Sequence, residues 1–391
     1  MARDIKILRV AIVGIGNIGS AHTEAILNGK VSGMALTALC DNSLTKVNEL
    51  RRKYPGIKIY EDCDALLENE SIDALIIATP HYFHTEIAKK AFNKGIHVMS
   101  EKPISVDMGS AVSAVELAEE KGLLYGVMFN QRTDPLFIKA KELIASGALG
   151  EIRRSVWIIT NWYRKQCYYD SGSWRATWNG EGGGVLLNQA PHNLDIWQWL
   201  CGMPKSVYAV CHEGKYHEIA VEDDATLYCE YENGASGVFI TSTGDYPGTN
   251  RLEITGSIGK LVLENGKMLH YHNEMSESEF RATESSVKNP VTVTEYLDSD
   301  YNGHVNVLNA FAASVLNGTP LVATGREALN ELAISNAAYL SSHKHDKISI
   351  PFDNAEFLEF LEEKKASETL KNQKTKELSQ GGYKDRWKTN W

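Results

Sequence analysis

Gly14, Gly16 and Gly19 lie in the run Gly14-Ile15-Gly16-Asn17-Ile18-Gly19, directly after the apolar stretch 10–13 and before a helix-like run from Ser20. Glycines at this spacing between a strand and a helix suit the binding of a pyrophosphate. The first permits a tight turn, the second lets phosphate approach the backbone, and the third lets helix and strand pack closely. The helix N-terminus adds free amides and a partial positive charge, so Asn17 and Ile18 join the candidate site. Asp41 stands about 27 residues past Gly14, at the end of the next apolar run, where a carboxylate accepts from both ribose hydroxyls and repels a 2′-phosphate. The following Asn42-Ser43-Leu44-Thr45 carries no arginine to hold that phosphate, so the expected cofactor is NAD rather than NADP, with Asn42 beside it. A plainer alternative makes Asp41 the cap of a helix starting near Leu44.

A second set of chemistry-bearing residues runs from Asn161-Trp162-Tyr163-Arg164 through Trp174-Arg175-Ala176-Thr177-Trp178. Aromatic faces stack on the C–H faces of sugar rings, while guanidinium groups and amides take hydroxyls or an anion. Trp162, Arg164, Trp174, Arg175 and Trp178, together with Arg132, are therefore candidates for holding a sugar-like polyol. Aromatic packing inside the protein is the alternative.

These residues need a scaffold. Up to about Asn130, β-branched apolar runs at 7–13, 35–40, 58–60, 74–78, 97–99 and 124–129 alternate with segments of helical periodicity. That is the pattern of βαβ units in a doubly wound parallel sheet, which binds ligands at the carboxyl ends of its strands. Beyond Asn130 a helix-like stretch at 138–145 precedes longer strands, with turn dipeptides Asn233-Gly234 and Asn265-Gly266 that indicate a largely antiparallel sheet. Residues 274–300 read as an irregular excursion, followed by helices at 305–316 and 326–341. The domains expected are 1–130, 131–363 and a polar tail 364–391, whose Tyr383, Trp387 and Trp391 leave room for docking on a neighbour.

The chain has 391 residues, 43% hydrophobic and 23% charged, enough for large cores. Its net charge of −10 without a basic block disfavours a nucleic-acid partner. Six cysteines show no pair at metal-ligand or redox spacing, and no apolar run approaches the roughly 20 residues needed to span a bilayer. The N-terminus has no cleavage-site pattern. A cytoplasmic protein without a membrane partner is expected.

Three further segments carry a family resemblance: Ala78-Thr79-Pro80-His81-Tyr82-Phe83-His84, Ser100-Glu101-Lys102-Pro103, and Gly182-Gly183-Gly184-Val185-Leu186-Leu187-Asn188-Gln189-Ala190-Pro191-His192-Asn193-Leu194-Asp195. With the glycine motif, in this order, the sequence resembles the Gfo/Idh/MocA oxidoreductases, over residues 7–341 at least. The resemblance implies an α/β protein with an N-terminal Rossmann domain. It also implies a C-terminal α/β domain whose large, mostly antiparallel open sheet forms the interface of a homodimer or homotetramer. It places Lys102 between nicotinamide and substrate, Thr79, Pro80, His81, His84 and Glu101 along the cofactor, and His192 at the substrate. His81 stands where asparagine is frequent, and Asn188 where inositol dehydrogenase-like members carry aspartate. An amide cannot relay a proton, so Asn188 would orient substrate or lysine, as in other sugar-oxidising members.

His192 titrates near neutral pH and suits the base that takes a hydroxyl proton as hydride leaves. Lys102, beside a nicotinium charge, would polarise the oxygen or share that proton; a surface ion pair with Glu101 is its plainer alternative. Asp195 orients His192 or simply solvates the helix, and Pro191, read as lying inside that helix, would kink it. The expected activity is NAD-dependent oxidation of a secondary alcohol of a sugar, inositol or glycoside. Alternatives are a glycosidase that oxidises transiently and eliminates the aglycone, and a dinucleotide-sensing regulator without turnover.

Overall fold

The structure, a computed structural model, describes residues 7–172, 174–284, 286 and 288–368. Two compact units divide the chain: one takes the chain up to Thr133 together with Tyr301–Leu332, the other Asp134–Asp300 together with the chain from Ala333.

The first unit alternates β1 (Leu8–Val13), α1 (Asn17–Leu27), β2 (Met34–Cys40), α2 (Leu44–Lys53), β3 (Lys58–Tyr60), α3 (Cys63–Asn69), β4 (Ala74–Ile77), α4 (Phe83–Asn93), β5 (His97–Ser100), α5 (Met108–Glu120) and β6 (Tyr125–Val127). All strand pairs are parallel, in the order β3-β2-β1-β4-β5-β6. Strands covered on both faces must be apolar throughout, and Val10, Ala11, Ile12 and Ala74 through Ile77 are all buried. Ser43, Asp62 and Asp107 cap α2, α3 and α5 by accepting from backbone amides. The order reverses at β1, where the chain turns to β2 on one side and β4 on the other; the carboxyl ends of β1 and β4 therefore flank a crevice.

The second unit holds α6 (Pro135–Ala145), β7 (Ile152–Ile159), α7 (Gln166–Tyr169), α8 (Pro191–Cys201), β8 (Ser206–Glu213), β9 (Glu222–Glu230), β10 (Ser236–Ser242), β11 (Asn250–Gly256), β12 (Gly259–Glu264), β13 (Lys267–Asn273), α9 (Glu277–Arg281) and β14 (Val291–Leu297). After it come α10 (Gly303–Asn317), α11 (Gly325–Lys344), β15 (Ile348–Ser349) and α12 (Asn354–Ser367). Nine strands form one sheet in the order β14-β13-β12-β11-β7-β10-β9-β8-β15, antiparallel except for β7 with β10. One face is apolar and covered, with Trp157, Leu227, Phe239 and Leu252 buried and Trp197 of α8 packed 5.4 Å from the Phe239 ring. Asn265 and Gly266 both take positive φ between β12 and β13, the turn that matches strand twist.

Three expectations change. The segment Tyr301–Leu332 belongs with the first unit and not with 131–363, because α10 lays Val307, Leu308, Phe311 and Ala312 into the core of Leu8, Val10 and Ile12. The excursion 274–300 contains α9 and a real strand, β14, paired with β13. Its alternating Val and Thr are exposed on an edge and so bury no apolar face. Pro191 is the first residue of α8, where its missing amide costs nothing, so it starts the helix without kinking it. Of the tail, residues 364–367 end α12, while Tyr383, Trp387 and Trp391 lie outside the described residues.

Candidate functional site

At the carboxyl end of β1, Gly14 takes φ +87, and a Cβ there would stand 2.6 Å from the Ala78 carbonyl oxygen. A Cβ on Gly19 would come within 2.0 Å of the Gly14 carbonyl oxygen, whereas one on Gly16 would meet nothing within 4 Å. Gly14 and Gly19 are thus small because protein surrounds them. Gly16 is small beside open space, where a pyrophosphate fits. Asn17 opens α1 and is exposed, with Ile18 following. Asp41 follows β2 directly; its Oδ2 accepts the Ile15 amide at 2.8 Å and its Oδ1 the Ser43 amide at 3.0 Å. The cap of α2 is Ser43, so Asp41 is a brace of the glycine loop, with Asn42 exposed alongside.

The next two strands bring Thr79-Pro80 and Glu101-Lys102-Pro103 to the same edge, since β1, β4 and β5 are neighbours. His84 ties these loops together, with Nδ1 2.7 Å from the Pro103 carbonyl oxygen and Nε2 2.8 Å from that of Thr79. Its pKa is lowered, chiefly by burial. His81 is buried, its ring 5.9 Å from that of His84. Glu101 is buried and meets His22 Nε2 at 2.8 Å. Burial would raise the Glu101 pKa, but the hydrogen bond and charge of His22, with His304 and Lys102 adding to them, hold it at about 2. His304 lies 5.7 Å from the His22 ring, and burial pushes it down to about 4. Glu101 is therefore an internal anion, paired with His22, in the loop that carries Lys102.

In the second unit residues 182–188 form a tight loop before α8. Glu222, at the start of β9, grips it: Oε2 accepts the Gly184 amide at 2.8 Å, Oε1 the Leu186 amide at 2.9 Å, and the Tyr339 hydroxyl donates to Oε1 at 2.8 Å. A Cβ on Gly184 would lie 1.9 Å from the Glu222 carbonyl oxygen, so the strand and loop need glycine there. Asn188 ends the loop and donates its side-chain amide to Glu181, which is buried. His192 follows Pro191 in the first turn of α8, half-buried; Asp195 is fully buried and accepts from Gln198 at 3.1 Å.

The aromatic segment divides. Trp162 is buried and donates to Asn193 of α8 at 3.0 Å. Trp178 is buried, donates to the Ala220 carbonyl at 2.9 Å and packs edge-on against Tyr339 and Phe360. Both are core residues, as the packing alternative has it. The rest form a partly exposed platform around Tyr168: the Arg164 guanidinium lies 5.2 Å and that of Arg175 4.8 Å from the Tyr168 ring, with Arg175 also 4.5 Å from Trp174. Arg175 donates to the Tyr168 hydroxyl at 3.0 Å and Gln189 to the same oxygen at 3.4 Å, joining the platform to the loop of Asn188. Arg132 belongs to the first unit, where it is buried, pairs with Glu327 at 2.9 Å and donates to the Val322 carbonyl.

Residues 8–129 match the family model described as oxidoreductase family, NAD-binding Rossmann fold, and residues 137–262 match that of the GFO/IDH/MocA C-terminal domain. The chain belongs to the GFO/IDH/MocA oxidoreductase family. It is 25% identical over 338 residues to scyllo-inositol 2-dehydrogenase (NAD(+)) of Bacillus subtilis, covering 85% of this chain and 93% of that one. Myo-inositol 2-dehydrogenase of Thermotoga maritima is 22% identical across 88% of this chain and 98% of its own. The WlbA dehydrogenase of Bordetella pertussis, solved with NADH and UDP-GlcNAcA, superposes with a TM-score of 0.75 at 25% identity, covering 89% of this chain and all of that one.

The protein is accordingly an NAD-binding oxidoreductase of the GFO/IDH/MocA family, and the space before Gly16 with Asp41 beside it fits the dinucleotide. Asp41→Ala is expected to weaken NAD by about one to two orders of magnitude, since hydrogen bonds to a charged acceptor are worth about 1.5–3 kcal/mol, and to narrow the preference over NADP. Asp41→Asn, which keeps an acceptor for the Ile15 amide, separates loss of charge from loss of the brace. Titration of both dinucleotides checks this; an unchanged NAD to NADP ratio in both variants refutes the ribose role. His22, Glu181, Glu222 and His304 escaped the sequence reading. The one signal was position: His22 stands three residues past the glycine motif, and Glu181 directly before the glycine run.

Proposed function

We propose that the protein transfers a hydride between NAD and a secondary alcohol or ketone of a sugar, inositol or glycoside, with Lys102 and His192 handling the proton. The observation that carries this reading is the platform of Tyr168, Trp174, Arg164 and Arg175, joined through Gln189 and Glu181 to the loop that ends in Asn188 and His192. Stacking rings and guanidinium donors suit a ring polyol, and the inositol dehydrogenases among the relatives support the same class. Bound NAD supplies the carbon that takes or returns the hydride. His192 is suited to take the hydroxyl proton at neutral pH, and the Lys102 amine to stabilise the oxygen as charge develops on it.

A panel of inositols, aldoses, uronates and aryl glycosides, followed by NADH absorbance and aglycone release, tests the reading. NADH formation on a polyol supports it. Aglycone release without net NADH assigns the transient oxidation and elimination route instead. NAD binding with neither product leaves a dinucleotide sensor and overturns the catalytic reading.

We also propose that copies associate through the open face of the nine-stranded sheet, where Tyr208 and Tyr228 are cross-strand neighbours and, with Val210, exposed. Sedimentation at micromolar concentration is expected to give a dimer or tetramer, and Tyr208→Glu with Tyr228→Glu a monomer. A monomeric parent refutes this interface.

A further inference from the structure

Glu181 is 1% exposed, and both its oxygens are engaged: Oε2 accepts the Ala176 amide at 2.6 Å, and Oε1 accepts from Nδ2 of Asn188. Arg175 Nη1 stands 3.9 Å from Oε1, and the Glu181 amide donates to the Thr177 carbonyl at 2.9 Å. Ala176 takes φ 56, a conformation unfavourable for a side-chain-bearing residue, and the amide bond to Glu181 helps hold it there. One buried carboxylate thus connects the Trp174–Trp178 stretch to Asn188.

A carboxylate only accepts, so the Asn188 atom that meets it is the NH2 nitrogen, which removes the usual two-fold ambiguity of an amide. The carbonyl oxygen Oδ1, on the other side of the amide carbon, is turned away from Glu181. We propose that Glu181 is a positioning residue of the hydride-transfer site, fixing the Asn188 amide with its NH2 toward Glu181 and its carbonyl oxygen on the opposite side. The inference rests on the hydride-transfer reading above. An aspartate at position 188 would present an acceptor with its charge. This chain separates the two, leaving the charge at 181 and a neutral acceptor at 188.

Glu181→Gln keeps an acceptor for the Ala176 amide but turns its own NH2 toward Asn188. Donor then meets donor, and the Asn188 amide flips, exchanging the places of its oxygen and its NH2. Measured on the polyol turned over fastest in the panel, kcat is expected to fall about tenfold or more, as misplacement of an orienting group commonly costs this much, with NAD affinity unchanged. Glu181→Gln combined with Asn188→Asp restores an acceptor at 188, because the new amide donates to the new carboxylate; most of the lost kcat should return. A merely structural role for Glu181 predicts no such rescue. Parental kcat in Glu181→Gln, or a double variant no faster than the single, overturns the proposal.

A melting cycle needs no substrate. Asn188→Asp alone sets two buried carboxylates against each other. Their pKa is raised in the folded state, so stability is retained at pH 5, where they share a proton, and lost as pH rises to 8. The parent and the double variant should show no such added loss. A Tm of Asn188→Asp that tracks the parent from pH 5 to 8 refutes the pairing, even if no compound in the panel is oxidised and the functional reading fails.

Discussion

Replacing His192 with alanine, or Lys102 with methionine, is expected to cut kcat by about 10² to 10⁴, the range that general acid–base groups contribute, while NAD binding is retained. The two effects should separate because the residues proposed to hold the pyrophosphate and ribose are others. Gly14, Gly16 and Asp41 lie beyond β1 and β2, whereas Lys102 follows β5 and His192 stands in the first turn of α8. Methionine keeps most of the apolar stem of Lys102 and removes its terminal ammonium, with the charge and protons. The Glu101 carboxylate stays paired with His22 at 2.8 Å, so the loop keeps its anchor. Turnover on the best compound of the panel, with NAD affinity from fluorescence titration, decides. Near-parental kcat in either variant returns that residue to a structural role; a collapse of NAD affinity would mean the loop itself was displaced.

Much of the first unit was legible because parallel strands are apolar where both faces are covered, so Val10–Val13 of β1, Ala38–Cys40 of β2, Ala74–Ile77 of β4 and Val98-Met99 of β5 stand out as apolar runs. The glycines were legible for a related reason, since a backbone that must touch another backbone leaves a mark that few other residues can replace. β14 was not, because an exposed edge strand has no covered face and its Val-Thr alternation is as polar as a loop. The partner of Arg132 could not be read, because Glu327 stands 195 residues away and nothing local tells a guanidinium in an ion pair from one waiting for a ligand. Trp162 and Trp178 show the same limit for aromatics: a ring that stacks on a sugar and a ring that closes a core share composition and spacing, and only burial separates them. The carboxylates Glu181 and Glu222 were invisible for the opposite reason. Charged residues are usually exposed, and it takes the fold to show backbone amides converging on them.

Glu222→Ala is expected to lower the Tm of the second unit's transition by on the order of 10 °C, and to depress activity beyond what unfolding explains. The Gly184 and Leu186 amides and the Tyr339 hydroxyl all donate to this buried side chain, and each buried donor left without a partner costs about 1–3 kcal/mol. The loop they belong to leads into Asn188 and His192, so loosening it moves the groups proposed to meet substrate. Burial, working against those donors, raises the Glu222 pKa to about 8. With the folded pKa above the unfolded value, the native state keeps a proton that the unfolded chain gives up, so this contribution is complete below about pH 4.5 and is lost as pH rises through about 8. The Tyr339 hydroxyl can donate or accept and so accommodates either form. Glu222→Gln, neutral at every pH, should fold, remove that slope from a plot of Tm against pH, and hold the loop better than alanine does. Equal Tm values for the alanine variant and the parent would show that the loop stands without this grip, and an unchanged slope in Glu222→Gln would assign the pH dependence to another group.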